Sequence, residues 1–239
     1  MTGGRPRQFD PDAALDRALE VFWRQGYEGT ALSDLTEAMG INRPSLYAAF
    51  GNKEDLFGKV LDRYLDGPGA YAAHALDRPS VLEVAEALVN GAIELTAGLN
   101  TPRGCLLVSN VHACGPDTDS IRREVIARRK AHTDALTHRL ERARAEGDLP
   151  VDADPKALAY FMAAITDGIA TQAANGCELE DLRHIANLAL RTWPTRIPTW
   201  AADLSRPAYR ARPIPAPTSK TTSAPSTRSS WIPTRTKPY

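Results

Sequence analysis

The sequence predicts an all-α protein, and three observations support this fold class. Apolar residues recur at three- and four-residue spacing along most of the chain up to Trp193, which places them on one face of successive helices. Asp-Pro pairs at residues 10–11 and 154–155 are typical of helix starts, because the carboxylate accepts from free N–H groups and proline needs no hydrogen-bond partner there. No segment alternates convincingly between apolar and polar residues, which disfavours strands.

The first two predicted helices follow an N-terminal arm, residues 1 to 8, that is expected to be flexible. The first helix begins after Asp10, and Gly26 is expected to end it. Ser33 is the expected N-cap of a short second helix over residues 34 to 39. Gly40 then supplies the positive φ that ends this helix and opens a turn.

The third predicted helix has two different faces. Asn42 is its expected N-cap, and Leu46 and Phe50 lie four residues apart on an inward face. The outward face carries side chains suited to a DNA major groove: Arg43, Ser45, Tyr47 and Ala48. Together with the preceding helix this pattern predicts a helix-turn-helix. A fourth, supporting helix runs from Lys53 to about Asp66, where the sequence DGPG breaks the chain.

The strong signals beyond this break are also helical. They predict a helix from Ser80 to about Gly98, a short piece from Cys105 to Ala113, a long charged helix over residues 118 to 146, a helix starting at Asp154-Pro155, and a last one from Glu178 to Trp193. From Ile197 onward the composition changes to eight prolines and thirteen Ser/Thr with few aliphatic residues. Such a segment cannot bury enough apolar surface to order itself, so the tail at 197–239 is expected to be disordered.

Composition limits the classes of protein to consider. The 239 residues are 43% hydrophobic, which is enough for a core, and no run of about 18 apolar residues predicts a membrane span. The N-terminus lacks the apolar stretch of a signal peptide, and three unevenly spaced cysteines do not suggest a disulfide framework. We therefore expect a cytoplasmic protein with free thiols.

Charge gives only partial support for a nucleic-acid partner. The net charge is zero, and residues 1 to 66 carry eight Lys/Arg against eleven Asp/Glu. The acidic residues concentrate on the first helix, whereas Arg5, Arg7, Arg43 and Lys53 lie in the arm and around the third helix. A small basic patch is therefore expected to hold the phosphates, with modest non-specific affinity.

The N-terminal pattern resembles the DNA-binding end of TetR-type transcriptional regulators. The residues that carry this resemblance are Thr30, Leu35, Gly40, Ile41, Ser45, Leu46, Tyr47, Phe50, Lys53, Glu54, Leu56 and Phe57. The resemblance implies that Tyr47 and Lys53 reach phosphates, and that Thr30 does so from the start of the second helix. The full set expected to contact DNA is Thr30, Arg43, Pro44, Ser45, Tyr47, Ala48 and Lys53. The sequence leaves open whether Arg43 reads a guanine edge or holds a phosphate.

Cys105 has two interpretations. It lies in the stretch TPRGCLLVSN, at the expected start of a helix and two residues after Arg103, and both features favour a reactive thiolate. The stretch is similar to a Gly-Cys-Leu-Leu segment in the branch of TetR-type regulators that includes electrophile-sensing and acrylate-responsive repressors, which implies a sensor cysteine. The alternative is that Cys105 only fills space in the core, as buried cysteines often do.

The resemblance implies an effector pocket inside the second domain. Apolar faces offer Leu88, Phe161, Met162 and Ile165 as lining residues, with ordinary core packing as the alternative, and no charged residue stands out as a ligand anchor. Cys105, His112 and Cys114 match no strong zinc pattern, so no metal or cofactor is expected. No acid–base pair or nucleophile–base arrangement indicates an enzyme.

Small residues between Ala157 and Ala174 would let helices approach closely, and the resemblance implies that the last two helices pair across a two-fold axis. The predicted domains are residues 1–52 for arm and helix-turn-helix, 53–196 for a helical bundle that binds effector and dimerises, and 197–239 for the tail. We therefore expect a homodimeric, ligand-responsive regulator, a repressor that a small molecule releases from a pseudo-palindromic operator. The alternative is a thiol-based electrophile or redox sensor that acts through Cys105.

Overall fold

The computed structural model describes residues 9–97, 101–110 and 118–194, and all regular structure in these ranges is helical. The all-α prediction is confirmed. The helices are α1 (Pro11–Gly29), α2 (Leu32–Met39), α3 (Arg43–Phe50), α4 (Lys53–Asp66), α5 (Tyr71–Ala75), α6 (Val81–Ala97), α7 (Leu106–Asn110), α8 (Asp119–Glu146), α9 (Pro155–Ala174) and α10 (Leu179–Thr192). The arm at 1–8, the tail from 197, and the candidate residues His112 and Cys114 lie outside the described residues, so the expectations for them stay predictions.

Most helix boundaries follow from local side chains that the sequence analysis identified. Asp10, Asn42 and Asp154 each accept a hydrogen bond from a backbone N–H in the first turn of the following helix, at 2.9 to 3.0 Å. Gly40 and Gly147 take the left-handed conformation just after α2 and α8, with φ of 68° and 78°. These helices therefore begin and end where their capping residues predict.

The start of α2 corrects one expectation. Ser33 is not its N-cap, because the helix begins two residues earlier than expected, at Leu32, and Ala31 takes the N-cap position. The Asp34 carboxylate accepts from the N–H of Ala31 at 3.0 Å, and the hydroxyl of Ser33 donates to the same carboxylate at 3.3 Å. Ser33 therefore lies inside the first turn of α2, and Asp34 satisfies the exposed N–H of Ala31 at the start of the helix.

Two hydrophobic cores organise the described residues. The first unites the inward faces of α1 to α4, with Phe22, Leu35, Leu46 and Phe57 among its fully buried members. Side chains from α6, α7 and α8 also reach this core: Leu95, Leu106, Ile121 and Val125. The helix-turn-helix therefore rests on the second domain through apolar contacts as well as through the chain itself.

The second core lies among α5, α6, α8, α9 and α10. Leu88 of α6, Leu140 of α8 and Met162 of α9 lie in it with at most 2% of their surface exposed. The helix α5 was absent from the sequence-based expectation, and it packs against α6. Four of these helices, α5, α6, α8 and α9, also line the cavity described below.

Candidate DNA-binding surface and effector cavity

The helix α3 presents an exposed face opposite its buried one. Leu46 and Phe50 are buried, whereas Tyr47 is 49% exposed and Arg43 and Ala48 also face solvent. Pro44 is exposed in the first turn. Ser45 is half-buried, and its N–H donates to the Asn42 side chain at 2.9 Å. The side-chain exposure therefore matches the outward face that the spacing predicts, except that Ser45 is partly covered.

Lys53 lies at the start of α4, beside this face. Its Nζ is 4.4 Å from the centroid of the Tyr27 ring, a cation–π contact. Burial lowers the pKa of Lys53, while the nearby charges of Glu28 and Asp34 act in the opposite direction. The N-terminus of α4 is fixed by reciprocal hydrogen bonds between Asn52 and Asp55, at 2.8 and 3.0 Å. The ammonium is therefore positioned at a helix start, where an anion would also meet free N–H groups.

Thr30 differs from the other candidates for DNA contact. Only 2% of its surface is exposed, and its hydroxyl donates to the carbonyl of Gly26 at 2.6 Å. Gly26 has φ of 71° and ψ of 172°, which interrupts α1. In this structure the Thr30 side chain therefore stabilises the link between α1 and α2, and its contact with phosphate stays a prediction.

An arginine of α4 partly neutralises the acidic residues of α1. Arg63 of α4 donates two hydrogen bonds to Asp16, at 2.7 and 2.9 Å, and lies 3.8 Å from Asp12. Two acidic residues of α1 are therefore compensated by an arginine of α4, whereas Glu28 and Asp34 act on Lys53.

Residues 104 to 110 contact α1 and α4 through three hydrogen bonds among the described residues. The Nε1 of Trp23 donates to the carbonyl of Gly104 at 2.9 Å, and the hydroxyl of Tyr64 donates to Sγ of Cys105 at 3.1 Å. The N–H of Tyr27 donates to Oδ1 of Asn110 at 2.8 Å. The segment that carries the candidate sensor cysteine is therefore bonded to both α1 and α4.

A cavity of ≈ 390 Å³ lies on the other side of Cys105, against α5, α6, α8 and α9. Cys105, Leu88 and Met162 line it, as the sequence analysis expects. Phe161 and Ile165 do not, because the stripe of α9 that faces the cavity comprises Ala159, Met162, Ala163, Thr166 and Asp167. At 100° per residue, Phe161 falls on the opposite side of this helix, where it is 37% exposed.

The cavity also has a polar end that the sequence analysis missed. Arg129 of α8 donates two hydrogen bonds to Asp167 of α9, one of them at 3.1 Å. Burial acts to lower the pKa of Arg129, but the hydrogen bond and charge of Asp167 raise it overall. His132 lies three residues after Arg129 and lines the same cavity, and its pKa is lowered by burial and then by Arg129. A signal existed, since Arg129, His132, Thr133 and Leu136 fall on one helical face.

Tyr64 and Tyr71 complete the polar end near Cys105. Burial raises the pKa of both phenols, and the charge of Cys105 adds to it. Among the residues that the structure describes, no group of three or more His, Cys, Asp or Glu side chains is placed to hold a metal ion. No helix in the described ranges is both long and apolar enough to cross a membrane.

Comparisons with known proteins agree with this geometry. Residues 14–60 match the family model described as bacterial regulatory proteins, tetR family, and residues 82–186 match the tetracyclin repressor-like C-terminal domain. The chain is 40% identical over 193 residues to the HTH-type transcriptional repressor ComR of Escherichia coli K12, which covers 80% of this chain and 92% of that repressor.

Two further relatives support the same assignment. An uncharacterised HTH-type regulator of Bacillus subtilis, YezE, is 34% identical over 161 residues, or 66% of this chain and 83% of that protein. A cysteine mutant of the TetR family regulator CifR, solved with 26-base-pair operator DNA, superposes with a TM-score of 0.76 at 42% identity, covering 80% of this chain and all of that one. The chain belongs to the TetR family of transcriptional regulators.

Proposed function

We propose that this chain is a dimeric repressor that reads a pseudo-palindromic operator with the exposed face of α3 and leaves it when a small molecule fills the cavity between α8 and α9. The observation that carries the proposal is the exposed face of α3. This face presents Arg43 and Tyr47 to solvent, while the opposite face of the helix is buried and Asn42 caps its N-terminus. Support comes from the family membership and from CifR, which was solved on its operator. Repressors are also among the named relatives, including ComR and BdcR of Escherichia coli.

Arg43 and Tyr47 have the exposure that contact with DNA requires. Arg43 is at the first position of α3, where recognition helices commonly touch base edges or phosphates. Tyr47 lies one turn later and its hydroxyl suits a phosphate oxygen. Lys53, held over the Tyr27 ring, would take a phosphate beside the N-terminus of α4. Ala48 and Pro44 would contribute apolar contact in the groove, and Ser45 a hydroxyl.

A two-fold dimer would place two copies of α3 in successive major grooves, about 34 Å apart. Apolar side chains remain exposed on α9 and α10: Tyr160 at 53%, Phe161 at 37%, Leu179 at 41% and Leu188 at 65%. A second copy of the chain would cover these residues, as the family's dimers imply. Phe161 would then serve the dimer interface rather than the cavity.

Release would be a population shift. A ligand in the cavity contacts α8 and α9, and Cys105 at its edge is bonded to Tyr64 of α4. A ligand that favours a dimer with wrongly spaced recognition helices needs to remove only about 3–4 kcal/mol to weaken operator binding several hundred-fold. The protein would act in the bacterial cytoplasm, as a binding protein without catalytic activity.

A thiol-based sensor is the second candidate. The observation that favours it is the position of Cys105, which is half-buried, lines the cavity and accepts from Tyr64. Covalent modification of Sγ would add atoms where the Tyr64 hydroxyl now lies and would disturb α4 directly. This candidate has the same DNA-binding end and differs only in how the effector is held.

Binding of the full-length protein to its own upstream DNA tests the proposal, with fluorescence anisotropy as the readout. Tyr47→Ala and Lys53→Ala should each weaken binding about tenfold, since each removes a phosphate contact worth roughly 1–2 kcal/mol. Lys130→Ala is the matched control, because Lys130 is an exposed lysine on α8 that pairs with Asp134 on the same helix. Normal affinity in correctly folded Tyr47→Ala and Lys53→Ala proteins would contradict the assignment of this surface.

A further inference from the structure

Four charged residues line the effector cavity, and both arginines among them are bonded to carboxylates. They comprise Asp66, Arg128, Arg129 and Asp167, two of each sign. Arg129 is bonded to Asp167 within the cavity wall. Arg128 is turned to the rim, where it donates to Asp62 at 2.6 Å and to Glu124 at 2.7 and 2.9 Å. Neither arginine is therefore left as an unpaired cation for an anionic ligand.

The ion pair disfavours charged ligands of either sign. A carboxylate that approached Arg129 would have to displace Asp167 and leave that carboxylate buried without its partner, and an ammonium would do the same to Arg129. An uncompensated charge in a partly buried site is costly, whereas the pair as it stands is neutral. The remaining walls are apolar, with Leu88, Leu136 and Met162 among them.

Two polar side chains inside the cavity have no hydrogen-bond partner among the described residues: the Tyr71 hydroxyl and the His132 imidazole. The Asp66 side chain also lines the cavity without a hydrogen bond to the described residues, but it is exposed to solvent. The threonines nearby are already bonded. Thr133 donates to the carbonyl of Arg129 at 3.1 Å, and Thr166 donates to that of Met162 at 3.1 Å. Tyr71 and His132 line the cavity together with Asp167.

The position of Tyr71 is fixed by close packing. Its ring lies directly on Gly91 of α6, where an added Cβ would be only 2.7 Å from Cγ of the ring. The ring can lie so close to α6 because residue 91 is glycine, which has no Cβ. The hydroxyl of Tyr71 is therefore held in place and available to a ligand.

We propose that the effector is a small, uncharged molecule with an apolar body and one oxygen-bearing group, which hydrogen-bonds to Tyr71 and His132 while the body packs on Leu88, Leu136 and Met162. Carbonyl and hydroxyl groups fit this description. The cavity is at the small end of the usual 300 to 1,000 Å³ range for ligand pockets, which favours a compact molecule. This inference rests on the proposed function, since it names the ligand class for the same cavity.

Three six-carbon probes of nearly equal size test the charge preference: hexanamide, hexanoate and hexylammonium. Their binding to the full-length protein is measured by isothermal titration calorimetry, and operator release is followed by anisotropy in the same buffer. Hexanamide should bind about tenfold tighter than either ion, because only the ions disturb the Arg129–Asp167 pair. It cannot alkylate Cys105, so the result does not depend on the thiol. Tighter binding of hexanoate or hexylammonium overturns the inference, and so does absence of hexanamide binding at millimolar concentration.

Charge-changing variants sharpen the test. Asp167→Asn leaves Arg129 unpaired and should reverse the preference toward hexanoate, while Arg129→Gln should shift it toward hexylammonium. Tyr71→Phe should weaken hexanamide about fivefold, the effect of one lost hydrogen bond. Circular dichroism shows whether each charge variant folds. Unchanged ligand selectivity in a folded charge variant overturns the inference. Operator binding without ligand reports on the proposed function separately, since none of these residues lies on the α3 face.

Discussion

The hydroxyl of Tyr64 donates a hydrogen bond to Sγ of Cys105, and the two atoms are 3.1 Å apart. Tyr64 belongs to α4 and is 1% exposed, and its ring meets that of Trp23 from α1 edge to face, with centroids 5.0 Å apart. Cys105 itself borders the effector cavity. One short contact thus joins the wall of the cavity to α4 and, through the Trp23 ring, to α1.

Alkylation of Cys105 should therefore release DNA. N-ethylmaleimide adds a bulky group at Sγ, which must displace the Tyr64 hydroxyl and shift α4, so operator affinity of the wild-type protein should fall at least about tenfold. Cys105→Ser should bind operator normally and ignore the reagent. The measurement is anisotropy before and after treatment, with mass spectrometry to count adducts.

Cys177 provides a matched control for this experiment. It is a second half-buried free cysteine, and it packs against the second core rather than against α4. Cys177→Ser should stay sensitive to the reagent. Release that persists in Cys105→Ser would assign the effect to another thiol and remove the sensor candidate.

Asn110→Ala should weaken the contact between α7 and α1. Asn110 is 1% exposed, and its Oδ1 accepts from the N–H of Tyr27 at 2.8 Å, so the substitution leaves a partly buried donor unpaired. The expected loss is about 1–3 kcal/mol in the free energy of unfolding, measured with urea. Because the Tyr27 ring supports Lys53, operator affinity should also fall. Ser109→Ala, at the exposed neighbouring position, should change neither quantity; equal losses in both variants would argue against a specific role for Asn110.

Arg139 holds the turn after α5 against α8. It is 6% exposed, and its guanidinium donates to the carbonyls of Leu76, Arg78 and Pro79 at 2.9 to 3.1 Å. Arg139→Met should cost about 2–4 kcal/mol, since three carbonyls lose their donor, and should lower the thermal midpoint. Arg142→Met, at an exposed position on the same helix, should leave the midpoint within a degree or two. A stable Arg139→Met protein would show that water replaces these bonds without loss.

Short-range signals explain why so much of the fold was predictable from the sequence. Asp10, Asn42 and Asp154 bond to N–H groups within three residues, so their effect depends on the local sequence alone. The failure at Ser33 has an equally local cause, because α2 begins two residues earlier and Asp34 accepts from the N–H of Ala31 in its first turn. Local hydrogen bonds of this kind shift helix boundaries by a residue or two.

The polar end of the cavity could not be predicted in the same way. Arg129 and Asp167 are 38 residues apart, on different helices, and each reads in the sequence as one more charge on a solvated face. Only the packing of α8 against α9 makes them partners. Phe161 was wrongly expected to line the cavity. An aromatic residue on an apolar helix is a natural pocket candidate until it is known which face of α9 points into the cavity.

The folded state should lose stability as the pH falls below about 6.5, in part through His132. Burial and Arg129 lower the pKa of His132 from its ordinary value of 6.5, so the unfolded chain binds a proton more readily than the native one. The contribution is therefore fully present above pH 6.5 and is lost as the pH falls from 6.5 through the lower native pKa, at no more than about 1.4 kcal/mol per pH unit. His132→Gln should flatten urea-derived stability over this range. His184→Gln, on an exposed site of α10, should keep the wild-type slope, and an unchanged slope in His132→Gln would exclude His132 as the source.

Salt dependence should separate the roles of Arg43 and Lys53, which the sequence could not assign. Each phosphate contact contributes about 0.9 to the slope of log affinity against log salt concentration, whereas a contact to a base edge mainly contributes discrimination between sequences. Lys53 lies beside the N-terminus of α4 and over the Tyr27 ring, so Lys53→Ala should reduce the slope by about one and weaken all DNA sequences alike. Arg43 is exposed at the first position of α3, and Arg43→Ala should instead cost about 1–3 kcal/mol on the operator and less on unrelated DNA. Equal losses on both DNAs for Arg43→Ala would place its guanidinium on a phosphate, and the reading of base edges would then fall to the remaining exposed side chains of α3.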